Sequence, residues 1–323
     1  MVLHRRWFLG LVVVSILSLL FSFTIPEKVR AESFSTHTAP DGRVYQLFIP
    51  TGYQKGQPLP LVVMLHGCGQ TSTQFATATQ MNQVAEKHKF IVAYPEQTFS
   101  ANMSRCWNWF DTTHQSRKRA SIVGVVQHIK QNYSVDDRRV YVAGLSAGGA
   151  MSVILGATYP DVFTAIGVGS GLEYKAATSM MTSFTAMMMG GPSPTRQGEL
   201  AYQAMGEHAR VMPVIVFHGT ADYTVRPING DQVISQWAET NRRSSNSNIT
   251  DRPSQTITGS VPNGRTYTRY IYKDPQGKTI MEKYMINNMG HAWSGGPLGG
   301  SFTDPSGPNA SEIMWDFFKN HTK

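Results

Sequence analysis

The sequence contains little cysteine and little repetition. Only two of its 323 residues are cysteines, Cys68 and Cys106. Two cysteines without histidines at ligand spacing do not build a zinc site, so no metal is expected. Heptads, internal repeats and long low-complexity runs are also missing. With 41% hydrophobic residues, the chain has the composition of a globular protein with an extensive core.

Charge is sparse as well, because only 15% of the residues are charged, although the net charge is +8. The basic residues are scattered apart from Arg117-Lys118-Arg119, and no basic stripe alternates with aromatic residues. The pattern therefore predicts no nucleic-acid partner. We interpret the positive surplus as an aid to solubility, with adhesion to anionic wall polymers as the alternative.

The one long hydrophobic run is at the N terminus. Arg5-Arg6 precedes an apolar segment over residues 7–23, and Val29-Arg30-Ala31 offers small residues to a signal peptidase. We predict a signal peptide over 1–31 and one catalytic domain over 32–323, in a secreted or periplasmic protein without a stable membrane span. A retained anchor is the alternative, since the run is at the lower edge of spanning length. The paired arginines leave twin-arginine export open.

The most informative local pattern is Gly144-Leu145-Ser146-Ala147-Gly148. It follows the apolar run Val140-Tyr141-Val142-Ala143 and precedes a helical pattern. Glycines on both sides of a serine allow strand and helix backbones to approach around a strained residue. The pattern is typical of a nucleophile elbow, and it predicts that the hydroxyl of Ser146 is exposed for catalysis.

A serine nucleophile needs a base, and the base needs an acid that orients it. Asp222 lies in the loop after the apolar strand 214–217, and His291 lies in a glycine-flanked loop after the strand 280–286. Loops at the carboxyl ends of parallel strands converge on one crevice. The order Ser146, Asp222, His291 is the order expected of an α/β-hydrolase.

Two acidic residues compete with Asp222 for the role of triad acid. Asp231 follows Asn229-Gly230, and we interpret it as a helix cap. Glu173 follows the strand 165–168 and could serve in a variant triad. His66 and His218 also lie at strand ends, where we expect them to form structural hydrogen bonds.

The negative oxygen that forms during acyl transfer needs two backbone donors. The apolar strand 61–65 is followed by His66-Gly67-Cys68-Gly69-Gln70, where the oxyanion loop of this fold belongs. We predict that the amides of Cys68 and Ala147 form the oxyanion hole. This chemistry requires no cofactor.

The two cysteines fall in loops that we expect to be neighbours. Cys106 lies in the tryptophan-rich loop after the strand 90–94, at the same edge of the sheet as Cys68. In an exported protein this placement favours a Cys68–Cys106 disulfide. The alternative is a pair of buried free thiols.

Apolar strands alternate with helical patterns along the chain, which indicates a mostly parallel sheet with helices on both faces. The predicted strands cover 43–49, 61–65, 90–94, 140–143, 165–168, 214–217, 266–272 and 279–286. The predicted helices cover 73–88, 122–133, 147–158, 198–208, 232–240 and 311–319. The turn at Asp274-Pro275-Gln276-Gly277 predicts that the last strand pair is antiparallel.

Three segments outside this alternation concern the substrate and the surface. Residues 174–210 are irregular and rich in methionine, and they form a possible cap whose methionines either line an acyl pocket or belong to the core. Residues 241–264 are polar and predict a surface loop. Trp107, Trp109 and Trp293 lie in site loops, and we expect them to contact substrate.

The quoted motifs together resemble the poly(3-hydroxybutyrate) depolymerase family of esterases, which is related to feruloyl and acetylxylan esterases. The resemblance rests on the sequence motifs around Cys68, Cys106-Trp107, Ser146, Asp222 and His291-Ala292-Trp293. It implies an α/β-hydrolase fold, a Ser146-Asp222-His291 triad and an oxyanion donor at Cys68. The implied function is a secreted serine carboxylesterase.

The resemblance indicates the type of reaction more closely than it indicates which ester is the substrate. Polyester, soluble oligomers, amorphous polymer, and feruloyl or acetyl esters of plant-wall polysaccharide all remain open as substrates, because no threonine-rich linker or polymer-binding domain is recognised. A serine peptidase is a further alternative, since the same residues cleave amides. A non-catalytic wall-binding module would be expected to have lost a triad residue, and none is missing.

Overall fold

The protein is described by a computed structural model that covers residues 33–111 and 115–323, with side chains described outside 112–119. The predicted signal peptide over 1–31 lies outside these residues. Within them, no helix has the length and hydropathy needed to cross a bilayer.

A ten-stranded mixed sheet forms the centre of the molecule. Its strands are β1 (Ser33–Thr38), β2 (Val44–Ile49), β3 (Leu59–Leu65), β4 (Ile91–Pro95), β5 (Val135–Leu145), β6 (Ala165–Gly169), β7 (Val214–Gly219), β8 (Gln255–Ser260), β9 (Thr266–Lys273) and β10 (Thr279–Ile286). They are arranged in the order β1-β2-β4-β3-β5-β6-β7-β10-β9-β8. The strands from β4 to β10 in this order are parallel, and an antiparallel pair extends the sheet at each edge.

Helices cover both faces of the sheet, as the sequence predicts. They are α1 (Ser72–Thr79), α2 (Met81–His88), α3 (Gln115–Asn132), α4 (Ala147–Thr158), α5 (Met180–Met189), α6 (Pro194–Met205), α7 (Ile228–Ser245) and α8 (Ala310–Phe318), and two short strands, β11 (Trp293–Ser294) and β12 (Thr303–Asp304), pair separately. One core cluster contains residues of α3, α4, α6 and α7. The other contains residues of α1, α2 and α8.

The strands β3, β4, β6 and β7 and the second half of β5 are buried because helices cover them on both sides, and this burial explains their nearly continuous hydrophobic sequences. The β9–β10 pair is antiparallel, which confirms the prediction from the turn at 274–277. Parallel strands with covered faces place their carboxyl ends, and the loops that follow, along one edge.

Several predicted elements differ from the structure. The helix predicted over 73–88 is two helices, because Gln80 adopts a left-handed conformation with φ 51° and ends α1. The prediction of a loop over 241–264 is wrong in part, since α7 continues to Ser245 and β8 forms an exposed edge strand. An edge strand that is solvated on both sides needs no apolar pattern.

Candidate active site

Ser146 lies at the turn between β5 and α4. It has φ 57° and ψ −120°, a backbone conformation with positive φ that a non-glycine residue adopts only under strain. A Cβ on Gly144 would be 2.4 Å from the carbonyl carbon of Gly148, and a Cβ on Gly148 would be 2.0 Å from the oxygen of Leu65. Only glycine fits these two positions. The predicted elbow geometry is therefore present around Ser146.

His291 and Asp222 are joined by a hydrogen bond. The Nδ1 atom of His291 is 2.8 Å from Oδ2 of Asp222. The other carboxylate oxygen of Asp222 accepts from the amides of Thr224 and Val225 at 3.0 and 2.9 Å. With Nδ1–H directed to the carboxylate, Nε2 is the basic nitrogen of the ring. The loops after β7 and β10 thus bring the two side chains together and orient the imidazole of His291.

The environment of Asp222 keeps it ionised. Burial favours the protonated form, but the hydrogen bond with His291, the charge of His291 and the backbone amide of Val225 outweigh burial and lower the pKa of Asp222. An ionised carboxylate stabilises the imidazolium that forms when His291 accepts a proton. The pair can therefore act as a general base with its counter-ion.

The predicted oxyanion loop packs directly against the elbow. A Cβ on Gly67 would be 3.6 Å from Cβ of Ser146. Within the described chain, neither the Cys68 amide nor the Ala147 amide, at the start of α4, donates to a protein acceptor. Both amides therefore have no competing protein acceptor in the part of the chain that the structure describes, and their role as oxyanion donors stays a prediction.

Gln70 links the oxyanion loop to the histidine loop, a role that the sequence did not reveal. Its side chain is fully buried. Its Oε1 accepts from the amide of Gly67 at 2.8 Å, and its Nε2 donates to the carbonyl of Ser301 at 2.9 Å. Ser301 belongs to the segment that follows His291. The glutamine in the motif was visible in the sequence, but its distant partner was not.

The disulfide predicted between Cys68 and Cys106 is present in the structure. The next residue along the oxyanion loop, Gly69, donates its amide to the carbonyl of Ser104 at 2.8 Å. The two loops are therefore held together by a covalent bond and a hydrogen bond. This attachment restrains the backbone that carries the Cys68 amide.

The other histidines and acidic residues that the sequence placed at strand ends make contacts outside the His291–Asp222 pair. His66 contacts the Gln97 amide and the Gly67 carbonyl, and Nε2 of His218 donates to the carbonyl of Val225 at 2.8 Å, so both form the expected structural bonds. Asp231 does not cap α7, whose N-cap is Pro227; instead it forms an ion pair with Lys283. The interpretation of Asp231 as a helix cap is therefore wrong.

Glu173, the other rival acid, is buried and has no hydrogen-bond partner among the described residues. Desolvation by burial raises its pKa to about 9. A carboxyl group that is protonated at neutral pH cannot offset the charge of an imidazolium. The geometry favours Asp222 as the triad acid.

The three tryptophans expected to contact substrate are buried. Trp107 packs against His66, with ring centroids 5.5 Å apart, and Trp109 lies beside Phe110. Trp293 donates its indole N–H to the hydroxyl of Ser311. Direct substrate contact stays a prediction for all three, and their burial favours a packing role.

Segment 174–210 forms α5 and α6, and its methionines are divided between the surface and the core. Met180, Met181, Met188 and Met189 are exposed, as is Phe184 on the same helix. The core interpretation is therefore wrong for these four methionines, although Met205 of α6 is a core residue, and the lining of an acyl pocket stays a prediction. The carbonyl of Met187 accepts from the amide of Arg226, which connects the end of α5 to the loop that follows Asp222.

Comparison with known proteins agrees with this geometry. A family model described as "Esterase PHB depolymerase" matches residues 43–250. Poly(3-hydroxyalkanoate) depolymerase C of Paucimonas lemoignei is 36% identical over 248 residues, which cover 75% of this chain and 56% of that protein. The chain thus spans only about half the length of this relative.

Proteins named as feruloyl or acetyl xylan esterases are also similar to this chain. Feruloyl esterase B of Neurospora crassa is 30% identical over 242 residues, covering 72% of this chain and 77% of that protein. The solved structure of an acetyl xylan esterase from Aspergillus awamori superimposes with a TM-score of 0.66 at 22% identity, covering 80% of this chain and 94% of that one. This likeness shows the α/β-hydrolase fold. By its family match and its relatives, the chain belongs to the poly(3-hydroxybutyrate) depolymerase family of carboxylic ester hydrolases.

Proposed function

We propose that the protein is a secreted serine carboxylesterase that uses Ser146, His291 and Asp222 as its catalytic triad. The observation that carries the proposal is the His291–Asp222 hydrogen bond of 2.8 Å, in loops at the same sheet edge as the strained Ser146. An oriented base, an ionised acid and an elbow serine are the parts required for acyl transfer.

The reaction proceeds in two halves. Nε2 of His291 takes the proton of the Ser146 hydroxyl as Oγ attacks the ester carbonyl, and the amides of Cys68 and Ala147 stabilise the negative oxygen. The tetrahedral species collapses, His291 gives its proton to the departing alcohol, and an acyl-enzyme remains. Water activated by His291 then attacks the acyl-enzyme, releases the acid and restores the serine hydroxyl.

The decisive experiment compares Ser146→Ala with a matched control, Ser260→Ala, whose serine lies on the exposed edge strand β8. Removal of the nucleophile is expected to lower kcat for p-nitrophenyl butyrate by roughly 10⁴-fold or more, since only binding and oxyanion stabilisation remain. The control is expected to keep wild-type activity. Equal activity of Ser146→Ala and wild type would exclude Ser146 as the nucleophile.

The substrate that we propose is a polyester or oligoester of 3-hydroxyalkanoic acids. Exposed apolar side chains are concentrated in the loops and helices that follow the carboxyl ends of the parallel strands: Phe99, Met103, Met180, Met181, Phe184, Met188, Met189, Tyr223, Ile228, Leu298 and Phe302. Tyr223 directly follows Asp222, and the Phe302 ring lies 6.3 Å from that of His291. An apolar surface around the site favours a water-insoluble ester. The feruloyl and acetylxylan esterases among the relatives support wall-polysaccharide esters as the second candidate.

Export is part of the proposal. A signal peptide over 1–31 and a catalytic domain over 32–323 agree with the Cys68–Cys106 disulfide, because disulfides persist in oxidising compartments. Expression of the full chain followed by N-terminal sequencing of the exported protein tests this part. We expect a mature N terminus at residue 32.

A further inference from the structure

Phe302 is a half-exposed aromatic residue beside the proposed base. The residue is 50% exposed, and its ring centroid lies 6.3 Å from that of His291, with the two rings nearly perpendicular. The side chain of His291 is only 10% exposed, and its Nδ1 atom is bonded to Asp222, which is fully buried. Asp222 thus closes one side of the imidazole, and Phe302 is an exposed ring next to it.

The backbone of Phe302 has a conformation that neither its residue type nor core packing explains. Its φ is 52°, in the left-handed region that disfavours a residue with a large side chain. Such a position ordinarily holds glycine or asparagine. Because half of the side chain is exposed, burial in the core does not compensate for the strain. Strain of this kind is concentrated at active sites and ligand contacts, where the surrounding structure imposes it.

The chain on both sides of Phe302 is bonded to neighbouring loops. The carbonyl of Phe302 accepts from the amide of Trp293 at 2.7 Å, and Trp293 pairs with Thr303 between β11 and β12. The carbonyl of Ser301 accepts from Nε2 of Gln70, in the oxyanion loop, at 2.9 Å. The ring is therefore exposed while its backbone is restrained. An apolar surface that is already ordered loses little conformational entropy when a ligand binds to it.

Proximity to His291 places Phe302 on the alcohol side of the ester. In the proposed reaction His291 gives a proton from Nε2 to the departing alcohol, so the oxygen of that alcohol must come within about 3 Å of Nε2. The carbonyl group of the ester is directed to Ser146 and the oxyanion loop instead. The first carbon atoms of the alcohol part therefore lie within reach of a ring that is 6.3 Å from the imidazole.

We propose that Phe302 is a specificity-determining residue whose ring contacts the alcohol part of the ester and favours an apolar alcohol over a polar one. The inference rests on the proposed esterase function and extends it to one side of the substrate. In a polyester or oligoester of 3-hydroxyalkanoic acids, the alcohol part begins with the hydrocarbon chain of the next unit. An ether oxygen in contact with the ring loses hydration and gains no hydrogen bond, so a polar alcohol binds less well.

Two pairs of esters of equal length test this inference and separate the alcohol side from the acyl side. The alcohol pair is n-butyl butyrate with 2-methoxyethyl butyrate, and the acyl pair is ethyl pentanoate with ethyl 3-methoxypropanoate. Within each pair, an oxygen replaces one methylene. We measure kcat/KM for wild type, Phe302→Ala, Phe302→Asn and Phe302→Tyr. Phe302→Asn removes the ring without adding backbone strain, because asparagine tolerates a positive φ.

The control is Phe34→Ala, because Phe34 is an exposed phenylalanine on the edge strand β1. Thermal unfolding of each variant verifies that it folds.

Wild type is expected to have a kcat/KM for n-butyl butyrate at least about fivefold above that for 2-methoxyethyl butyrate. Phe302→Ala and Phe302→Asn should reduce this preference to less than about twofold and leave the preference within the acyl pair unchanged to within about twofold. Phe302→Tyr, which keeps the ring, and Phe34→Ala should retain the alcohol preference.

The proposal is overturned if wild type shows no alcohol preference, if a folded variant without the ring keeps it, or if Phe302→Tyr loses it. It is also overturned if the acyl preference falls by the same factor as the alcohol preference, because the ring would then not distinguish the two sides. The proposed function itself fails when wild type hydrolyses none of the four esters.

Discussion

At the scale of single residues, the orientation of His291 depends on Asp222. The carboxylate accepts from Nδ1 of the imidazole and from two backbone amides, so it sets both the tautomer and the position of the base. Asp222→Asn would present an amide N–H to Nδ1 and favour the tautomer with the proton on Nε2. That tautomer cannot accept the proton of Ser146.

We therefore expect Asp222→Asn to lower kcat for p-nitrophenyl butyrate by roughly 10⁴-fold at pH 7 with little change in KM. Asp231→Asn is the matched control, because this aspartate pairs with Lys283. Steady-state kinetics of both variants measure the effect. A loss of comparable size in Asp231→Asn, or none in Asp222→Asn, would mean that the acid has been misassigned.

Glu173 gives a second prediction, for stability. Its pKa is about 9 in the folded protein against 4.5 for the free group, so the folded state retains a proton that the unfolded chain releases above pH 4.5. Stability from this group is therefore complete below pH 4.5 and declines as the pH rises towards 9. Glu173→Gln does not titrate.

The unfolding free energy of Glu173→Gln should accordingly exceed that of wild type by roughly 1 to 3 kcal/mol at pH 8, and the difference should shrink towards pH 5. Urea denaturation at several pH values between 5 and 9 measures it. A difference that is constant across this range would show that Glu173 does not change its protonation on unfolding.

The sequence sufficed to choose candidate site residues but not to predict what surrounds them. Ser146, Asp222 and His291 could be chosen because each follows an apolar strand in a short loop, and the structure joins Asp222 and His291 by a hydrogen bond. The tryptophans could not be assigned in this way. A tryptophan in a site loop has the same sequence signature whether its ring faces substrate or, as with Trp293 and Ser311, a core partner.

At the scale of structural elements, the loop after β3 is positioned by contacts from two other loops. The Cys106 loop holds it through the disulfide and the Gly69–Ser104 hydrogen bond. The histidine loop holds it through Gln70, whose Nε2 donates to Ser301. The proposed oxyanion donor at Cys68 belongs to this loop, so its position depends on both attachments.

Gln70→Glu keeps an oxygen for the Gly67 amide but removes the N–H that reaches Ser301. We expect this change to lower kcat for p-nitrophenyl butyrate roughly 10- to 100-fold with a smaller effect on KM, because a displaced oxyanion donor weakens binding of the transition state. Gln74→Glu, on the exposed side of α1 in the capping box with Thr71, is the control. A Gln70→Glu enzyme with wild-type kcat would show that the bridge does not position the oxyanion loop.

Element boundaries could be predicted where they follow from the pattern of buried residues. They could not be predicted where they depend on the conformation of a single residue. The buried parts of β3 to β7 match the apolar runs, since coverage on both faces imposes a continuous pattern, whereas the polar first half of β5 (Val135–Leu145) was not predicted. The break between α1 and α2 depends on one residue, Gln80, in a left-handed conformation, and no glycine or proline signals it. The edge strand β8 consists mostly of exposed residues, so its pattern resembles that of a loop.

At the scale of the whole molecule, the exposed apolar residues are unevenly distributed. Met181, at 84% exposure, and Phe184, at 63%, lie on α5, whose end is bonded to the loop after Asp222. Leu298, at 88% exposure, follows His291 on another side of the site. A surface of this kind loses unfavourable contact with water when it adsorbs on an apolar solid.

Adsorption and catalysis should therefore be separable by mutation. We expect the double variant Met181→Lys, Phe184→Lys to bind a poly(3-hydroxybutyrate) film at least about tenfold more weakly than wild type, since two charged side chains replace apolar contacts of roughly 1 to 2 kcal/mol each. Its kcat/KM for soluble p-nitrophenyl butyrate should stay within about twofold, because neither residue belongs to the triad. Ile257→Lys, on the edge strand β8, is the control for added positive charge. Film binding is measured by depletion of protein from solution, and unchanged binding of the double variant would rule out α5 as the adsorbing surface.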